Sequence, residues 1–287
     1  MKRFLRDGIN FFFMPLELYY LKKILIKQMP ENVLLKEIKN LDENILVVAP
    51  HSDDEALGTG GIIKGMCDKT NFFVFIPTLN KSREGNKRLF ESETAFANQK
   101  VKIISGGFED GNLLGSLDDL RKTVKEIIVG KKIKTIFAPL PTELHSDHYA
   151  CSSLVLEFIK EEIIDEIFFF STNHLYLPEM TNYYYAFPGG KNAKIKLLKK
   201  YESQQKINFR KVVEIEDVYS KLFGCEKFSE IFCKIEKEEK EKINNLLFSL
   251  RSLFLTIKGH FTGSVSRIMG ILRFSRNNIS LIKRHFK

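Results

Sequence analysis

The chain has 287 residues, 44% of them hydrophobic and 28% charged, with four cysteines and a formal net charge of +9. That length suits one full-sized α/β domain with extensions, or two small domains, and the composition is that of an ordinary soluble globular protein. The charge is unevenly placed: Lys242 to Lys287 hold nine Lys and Arg and no Asp or Glu, so residues 1–241 sum to zero and the basic character says little about what the body of the chain binds.

At the N-terminus, Lys2, Arg3 and Arg6 precede an apolar patch at Phe11–Met14. Asp7 stands before it, and Pro15 and Glu17 close it too early for a signal-peptide core. No stretch approaches the roughly 18 apolar residues of a membrane-spanning helix. Ile45–Ala49 then reads as a buried strand, followed by a Gly-rich turn and a helix to about Cys67. Phe72–Ile76 is a second strand and Lys87–Asn98 a second helix. Val101–Ser105 is a third strand, and Ser116–Val129 a helix opening on a cap-like Ser116 with Asp118 and Asp119 in its first turn. Ile133–Ala138 is a fourth strand, His148–Lys160 a helix and Glu166–Phe170 a fifth strand. Cys67, Cys151, Cys225 and Cys233 form no C-x-x-C pair and suggest neither a disulfide framework nor a zinc knuckle, which fits a reducing cytoplasm.

Strands separated by helices imply right-handed crossovers and a mostly parallel sheet with helices on both faces, a Rossmann-like α/β fold. Ligands of such sheets bind beyond the carboxyl ends of the strands. Two polar clusters sit there. Pro50-His51-Ser52-Asp53-Asp54-Glu55 follows the first strand, and Pro139-Leu-Pro-Thr-Glu-Leu-His145-Ser146-Asp147-His148 follows the fourth. Three of the six histidines lie in these loops. Two His and one Asp from them would make a ligand set for zinc, whose catalytic sites combine imidazole and carboxylate and keep one position open. Asp53 and Asp54 as helix caps, with His145 and His148 as plain loop residues, is the alternative for either cluster alone. Gly58, Gly60 and Gly61 do not have G-x-G-x-x-G spacing, and the acidic loop before them would repel a pyrophosphate; close helix packing explains them better.

The two loops resemble the signatures of the PIG-L/LmbE-like de-N-acetylase family, an (A/P)HPDDE loop and a later HPDH-like loop, here PHSDDE and HSDH. Arg88-x-x-Glu91-x-x-x-Ala95 is similar to a helix of that family, Glu109-Asp-Gly-Asn-Leu113 to its PDG-x-L turn, and Tyr201-Glu-Ser-Gln204 to its H-x-SQ segment, over about residues 42–235. Ser52, Ser146 and Glu109 stand where the family has prolines, and Tyr201 where it commonly has histidine, a change that could alter substrate contacts. The resemblance implies that His51, Asp54 and His148 hold zinc, or another divalent ion such as iron(II). It implies Asp53 as general base, a protonated His145 stabilising the oxyanion, and Asp147 orienting and charging that ring. Arg88 and Asp110 are candidates for holding substrate, with a solvated helix charge paired to Glu84 or Glu91, and a turn role, as their alternatives. His174 would line a sugar pocket or be a simple loop histidine.

The implied activity is removal of the N-acetyl group from a GlcNAc-type glycan, glycolipid or nucleotide-linked sugar. The rivals are the same chemistry on a non-sugar or thiol-conjugated amide, and a non-catalytic membrane- or polymer-binding protein retaining the fold. The expected organisation is an N-terminal extension at 1–40, a deacetylase domain at 41–235 and a basic amphipathic extension at 236–287. In the last, Ile243, Leu246, Leu247, Leu250, Leu253, Phe254 and Ile257 fall at helical spacing among basic residues. Such a segment suits an interfacial helix on an anionic membrane, placing the protein in the cytoplasm at the inner membrane face. A helical hairpin packed on the body is the alternative. No recognised nucleic-acid-binding motif accompanies the charge.

Overall fold

The computed structural model describes residues 34–239 except 98, 142, 144, 173–180 and 205–206, and also Tyr19, Lys23 and Glu241. The expectations for His174 and for most of both extensions therefore lie outside the described residues. After a two-residue strand, β1 (Lys36–Glu37), the chain runs β2 (Asn44–Val48), α1 (Asp54–Met66), β3 (Asn71–Ile76), α2 (Arg83–Ala95) and β4 (Val101–Ser105). A 3₁₀ turn (Leu113–Ser116) leads into α3 (Leu117–Lys131), then β5 (Thr135–Pro139), α4 (Ser146–Lys160) and β6 (Glu166–Phe170). β7 (Tyr183–Ala186), α5 (Gly190–Leu198), α6 (Phe209–Leu222) and β8 (Ser229–Glu236) complete the described chain.

All eight strands form one sheet in the order β1-β7-β8-β6-β5-β2-β3-β4. The five predicted strands are β2 to β6, and each pairs in parallel with its neighbour. β8 alone runs antiparallel, inserted between β6 and β7. β2 is the middle one of these five parallel strands, and its Ile45, Leu46, Val47 and Val48 are apolar on both faces. Leu46 and Val48 pack into a core with Val155, Phe158 and Tyr219, from α4 and α6. Ile45 and Val47 pack on the other face with Ile62, Ile63 and Leu197, from α1 and α5. The sheet is thus covered on both sides, as the period-2 exchange of faces along a strand requires.

Helix starts differ from the sequence reading in instructive ways. The helix expected from Lys87 begins at Arg83, because the Ser82 hydroxyl accepts the Gly85 N–H and caps it. Ser116 does stand at the start of α3, but its side chain makes no cap bond, since the 3₁₀ turn already leads the chain in. The glycines of α1 serve packing, as expected. A Cβ on Gly58 would lie 2.0 Å from the Phe170 ring, and one on Gly61 would lie 2.7 Å from Phe187. Where α1 comes so close, a buried ion cluster is tied into it. Lys194 Nζ donates to the Leu57 carbonyl and to Glu216 and Glu230, while Glu230 accepts the Gly61 and Ile62 N–H groups.

Candidate active site

β2 and β5 are neighbours in the sheet, yet the helices that follow them lie on opposite faces, α1 on one and α4 on the other. This is the topological switch point of an open α/β sheet, where loops diverge and leave a crevice. The two polar clusters meet in it. The His51 ring is 4.6 Å from that of His145 and 5.3 Å from that of His148, centre to centre, and His145 and His148 are 5.4 Å apart. Asp54 Oδ2 lies 3.2 Å from both His51 Nδ1 and His148 Nε2, and it also accepts the His51 backbone N–H at 2.9 Å.

The first loop is strained and braced. Asp53, immediately before α1, has φ 116°, a left-handed conformation that costs a non-glycine residue about 1–3 kcal/mol and persists only where the surroundings enforce it. Glu55 Oε2 accepts the Asp53 N–H at 2.9 Å, and Glu55 Oε1 accepts the Tyr201 hydroxyl at 2.9 Å. The Ser52 hydroxyl reaches the Arg88 carbonyl and the Ser92 hydroxyl on α2, and Gln204 donates to the Ser52 carbonyl. Ser203 in turn binds Glu91 through its backbone and hydroxyl. Ser52 thus has a hydroxyl with two fixed partners. Tyr201, standing where the resemblance has histidine, is buried behind the loop, where its hydroxyl meets the buried Glu55 side chain.

The second loop holds its residues differently from expectation. The Asp147 carboxylate does not bond to the His145 ring; it accepts the Gly111 and Leu113 N–H groups, at 2.7 and 3.1 Å, and faces His51 Nε2 at 3.2 Å. The turn that resembles PDG-x-L is thus pinned to the site through Asp147. His145 caps α4, its Nδ1 accepting the Asp147 backbone N–H at 3.2 Å. An accepting Nδ1 is unprotonated, so the donor this ring presents is Nε2–H of the neutral imidazole, not the expected imidazolium. Burial, with the neighbouring charges of His51 and His148, also lowers the His145 pKa.

Charge is concentrated here. Burial opposes protonation of His51, but Asp110, Asp147 and Asp54 outweigh it and push the ring up to about 12. Burial likewise opposes a charged His148, yet Asp54 and Glu143 raise it to about 9. Burial works against ionised Asp54, but His148 and His51 hold its carboxyl well below the usual range. Asp53 goes the other way: burial first, then the charges of Asp54 and Glu55, raise it well above an ordinary carboxyl. Asp110 is exposed at the rim, 3.2 Å from His51 and 3.7 Å from Arg88, and His51 lowers its pKa. Arg88 stands between Asp110 and Glu84, the latter 3.5 Å away, so its site-facing and helix-pairing readings coexist.

The donor set fits a divalent cation. Donor nitrogens of His51, His145 and His148 lie within 4.8 Å of one another, as do donor atoms of His51, Asp110 and Asp147. Asp53 Oδ2 is buried without a hydrogen-bond partner, a costly state that marks a site built for more than the protein's own contacts. Sequence reasoning missed Glu143, buried in the same loop, whose Oε2 lies 3.3 Å from His148 Nδ1.

Residues 46–159, which carry both loops, match the family model PIG-L, described as GlcNAc-PI de-N-acetylase. Solved structures share the fold. N,N'-diacetylchitobiose deacetylase from Pyrococcus horikoshii is 20% identical, with 68% of this chain and 85% of that one covered at TM-score 0.56. A conserved protein from Thermus thermophilus, TT1542, is 21% identical, with 66% and 92% covered at 0.54. A deacetylase of the teicoplanin biosynthesis pathway, solved with teicoplanin, is 13% identical, with 67% and 98% covered at 0.55. The stretch that carries both loops is similar to the PIG-L family of de-N-acetylases. Its His and Asp side chains form a candidate site for a metal ion. No curated protein matches the chain.

Proposed function

We propose that the chain hydrolyses the N-acetyl group of a GlcNAc-type amino sugar, with His51, Asp54 and His148 holding zinc and with Asp53, His145 and Asp147 as its working groups. The observation that carries this reading is Asp53, a buried carboxylate with one unpartnered oxygen, held in a strained backbone beside two imidazoles that share one aspartate. When bound, such an ion polarises the scissile carbonyl and lowers the pKa of water at the site toward about 7. Asp53, its pKa raised, takes a proton from the attacking water and returns it to the leaving amine. His145 donates Nε2–H to the developing oxyanion, its ring orientation set by the Asp147 N–H. Asp147 fixes His51 and the Gly111–Leu113 turn. Arg88 and Asp110, paired at the rim, are placed to meet sugar hydroxyls.

The proposed domain limits remain 41–235 for the catalytic body, with extensions at 1–40 and 236–287. A cytoplasmic setting accords with four free cysteines, and contact with an anionic membrane surface is assigned to 242–287. Among the described residues no helix is long and apolar enough to cross a membrane. One neighbouring teicoplanin deacetylase was solved in a zinc-inhibited form, so zinc and iron(II) both belong in the test. Acetate release should be measured with each metal on GlcNAc, diacetylchitobiose, a GlcNAc glycolipid and N-acetyl amino acids. Release from acetamido sugars is expected; turnover confined to the amino acids would overturn the sugar assignment, and no turnover at all would overturn the catalytic one.

A further inference from the structure

We propose that Glu143 is a positioning residue for His148, fixing the proton on Nδ1 so that Nε2 is left free to bind the metal. The inference rests on the reading of His148 as a ligand. Glu143 lies two residues before His145, but its carboxylate points back into the protein, and its side chain is fully buried. Three donors from the two residues after β6 hold it there. Oε1 accepts the Ser171 hydroxyl at 2.8 Å and the Thr172 N–H at 2.7 Å, and Oε2 accepts the Thr172 hydroxyl at 2.8 Å. Oε2 is also 3.3 Å from His148 Nδ1, while Nε2 on the far side of the ring faces Asp54 at 3.2 Å.

This arrangement has a direction. Ser171 and Thr172 direct three donors at Glu143, and such bonds are stronger to an ionised acceptor, so they favour its carboxylate form. A carboxylate beside a buried ring nitrogen with no other regular partner selects N–H at that nitrogen. A neutral imidazole with its proton on Nδ1 carries its lone pair on Nε2, toward the candidate ligand set. Carboxylates behind metal-bound histidines fix the tautomer and ring angle in this way, and losing one typically costs 10–100-fold in metal affinity or activity. The same residue also ties the β5 loop to the end of β6, so it sets where the second loop stands as well as how its histidine is turned.

The test uses the full chain and zinc. Zinc affinity is measured by competition with a chelator for the wild type and Glu143→Gln, whose amide keeps the shape but loses the charge. The expected result is about one ion per wild-type chain and a loss of affinity on the order of 10–100-fold in the variant. A variant that holds zinc as tightly as wild type would overturn the positioning role while leaving the metal reading intact. A wild-type chain that binds no zinc or iron(II) would overturn both. Should Glu143→Gln fail to fold, ¹⁵N spectra of the histidine rings in the zinc-loaded wild type decide the matter: His148 protonated at Nδ1 supports the role, and protonation at Nε2 refutes it.

Discussion

Tyr201→Phe removes one oxygen atom from behind the catalytic loop and tests whether the loop is held in the way the structure indicates. The lost bond runs from a fully buried hydroxyl to Glu55, which is itself buried and supports the left-handed Asp53 through its other oxygen. A hydrogen bond to a charged group contributes about 1.5–3 kcal/mol, and here the acceptor would be left in a cavity without water access. At about 2–4 °C per kcal/mol for a domain of this size, the melting temperature should drop by roughly 3–12 °C. The catalytic consequence follows from the strain. With Glu55 less firmly held, Asp53 should spend part of its time out of place, and the loss of even 1.4 kcal/mol in transition-state stabilisation is about tenfold in rate. Metal content should stay unchanged, because the Tyr201 hydroxyl touches none of the proposed ligands. Thermal melts, metal analysis and acetate release at saturating substrate measure the three quantities. A variant with wild-type melting and wild-type kcat would show that the Tyr201–Glu55 bond does not hold the loop.

Replacing His51 or His148 with Ala should abolish or greatly weaken binding of about one divalent ion per chain; unchanged metal content in both variants would remove the proposed ligand set. Asp53→Asn should keep the ion yet lose on the order of 10²-fold or more in rate, and near-normal acetate release would end its role as base. His145→Ala should behave likewise, retaining metal and losing kcat, since the ring is assigned to the transition state. Deleting 242–287 should leave hydrolysis of a small acetamido sugar intact while abolishing sedimentation with anionic liposomes, an interaction screened over roughly 10 Å at 0.1 M salt. Full-length protein that ignores such liposomes at low salt would refute the anchor and favour the packed hairpin.

The central sheet was legible because its strands are buried on both faces and so appear as unbroken apolar runs such as Ile45–Val48. β8 was not. Its Ser229 and Glu230 are buried polar residues that interrupt the apolar run: the Ser229 hydroxyl donates to the Lys227 carbonyl, and Glu230 accepts from the backbone of α1, a partner too distant in sequence for any local pattern to announce. The same division runs through the site. His51, Asp54, His145 and His148 were readable because position after a strand is a property of the local sequence. Glu143 stood in the same loop and was passed over, since its importance depends on Ser171 and Thr172, 28 and 29 residues later. Nothing in the sequence marks Asp53 as left-handed, and nothing local to Tyr201 announces its bond to Glu55, 146 residues away. Residues that chemistry needs are local in sequence; those that hold them in place are not.

This division bears on how the loop is held with a serine, not a proline, before its paired aspartates. Proline restricts the unfolded backbone and so presets the loop at little cost in contacts. Ser52 gives up that restriction, and its hydroxyl instead bonds to two groups on α2, the helix that also carries Arg88. Gln204 reaches the Ser52 carbonyl, Ser203 reaches Glu91 on α2, and Tyr201 reaches Glu55, so one short segment binds both the loop and the helix beside it. The loop's conformation is thereby set by tertiary hydrogen bonds rather than by chain stiffness. The proposed base, Asp53, and the rim cation, Arg88, then share a common support. A shift in α2 large enough to move Arg88 would also disturb the strained residue next to Ser52, which couples the proposed sugar contact to the placement of the catalytic carboxylate.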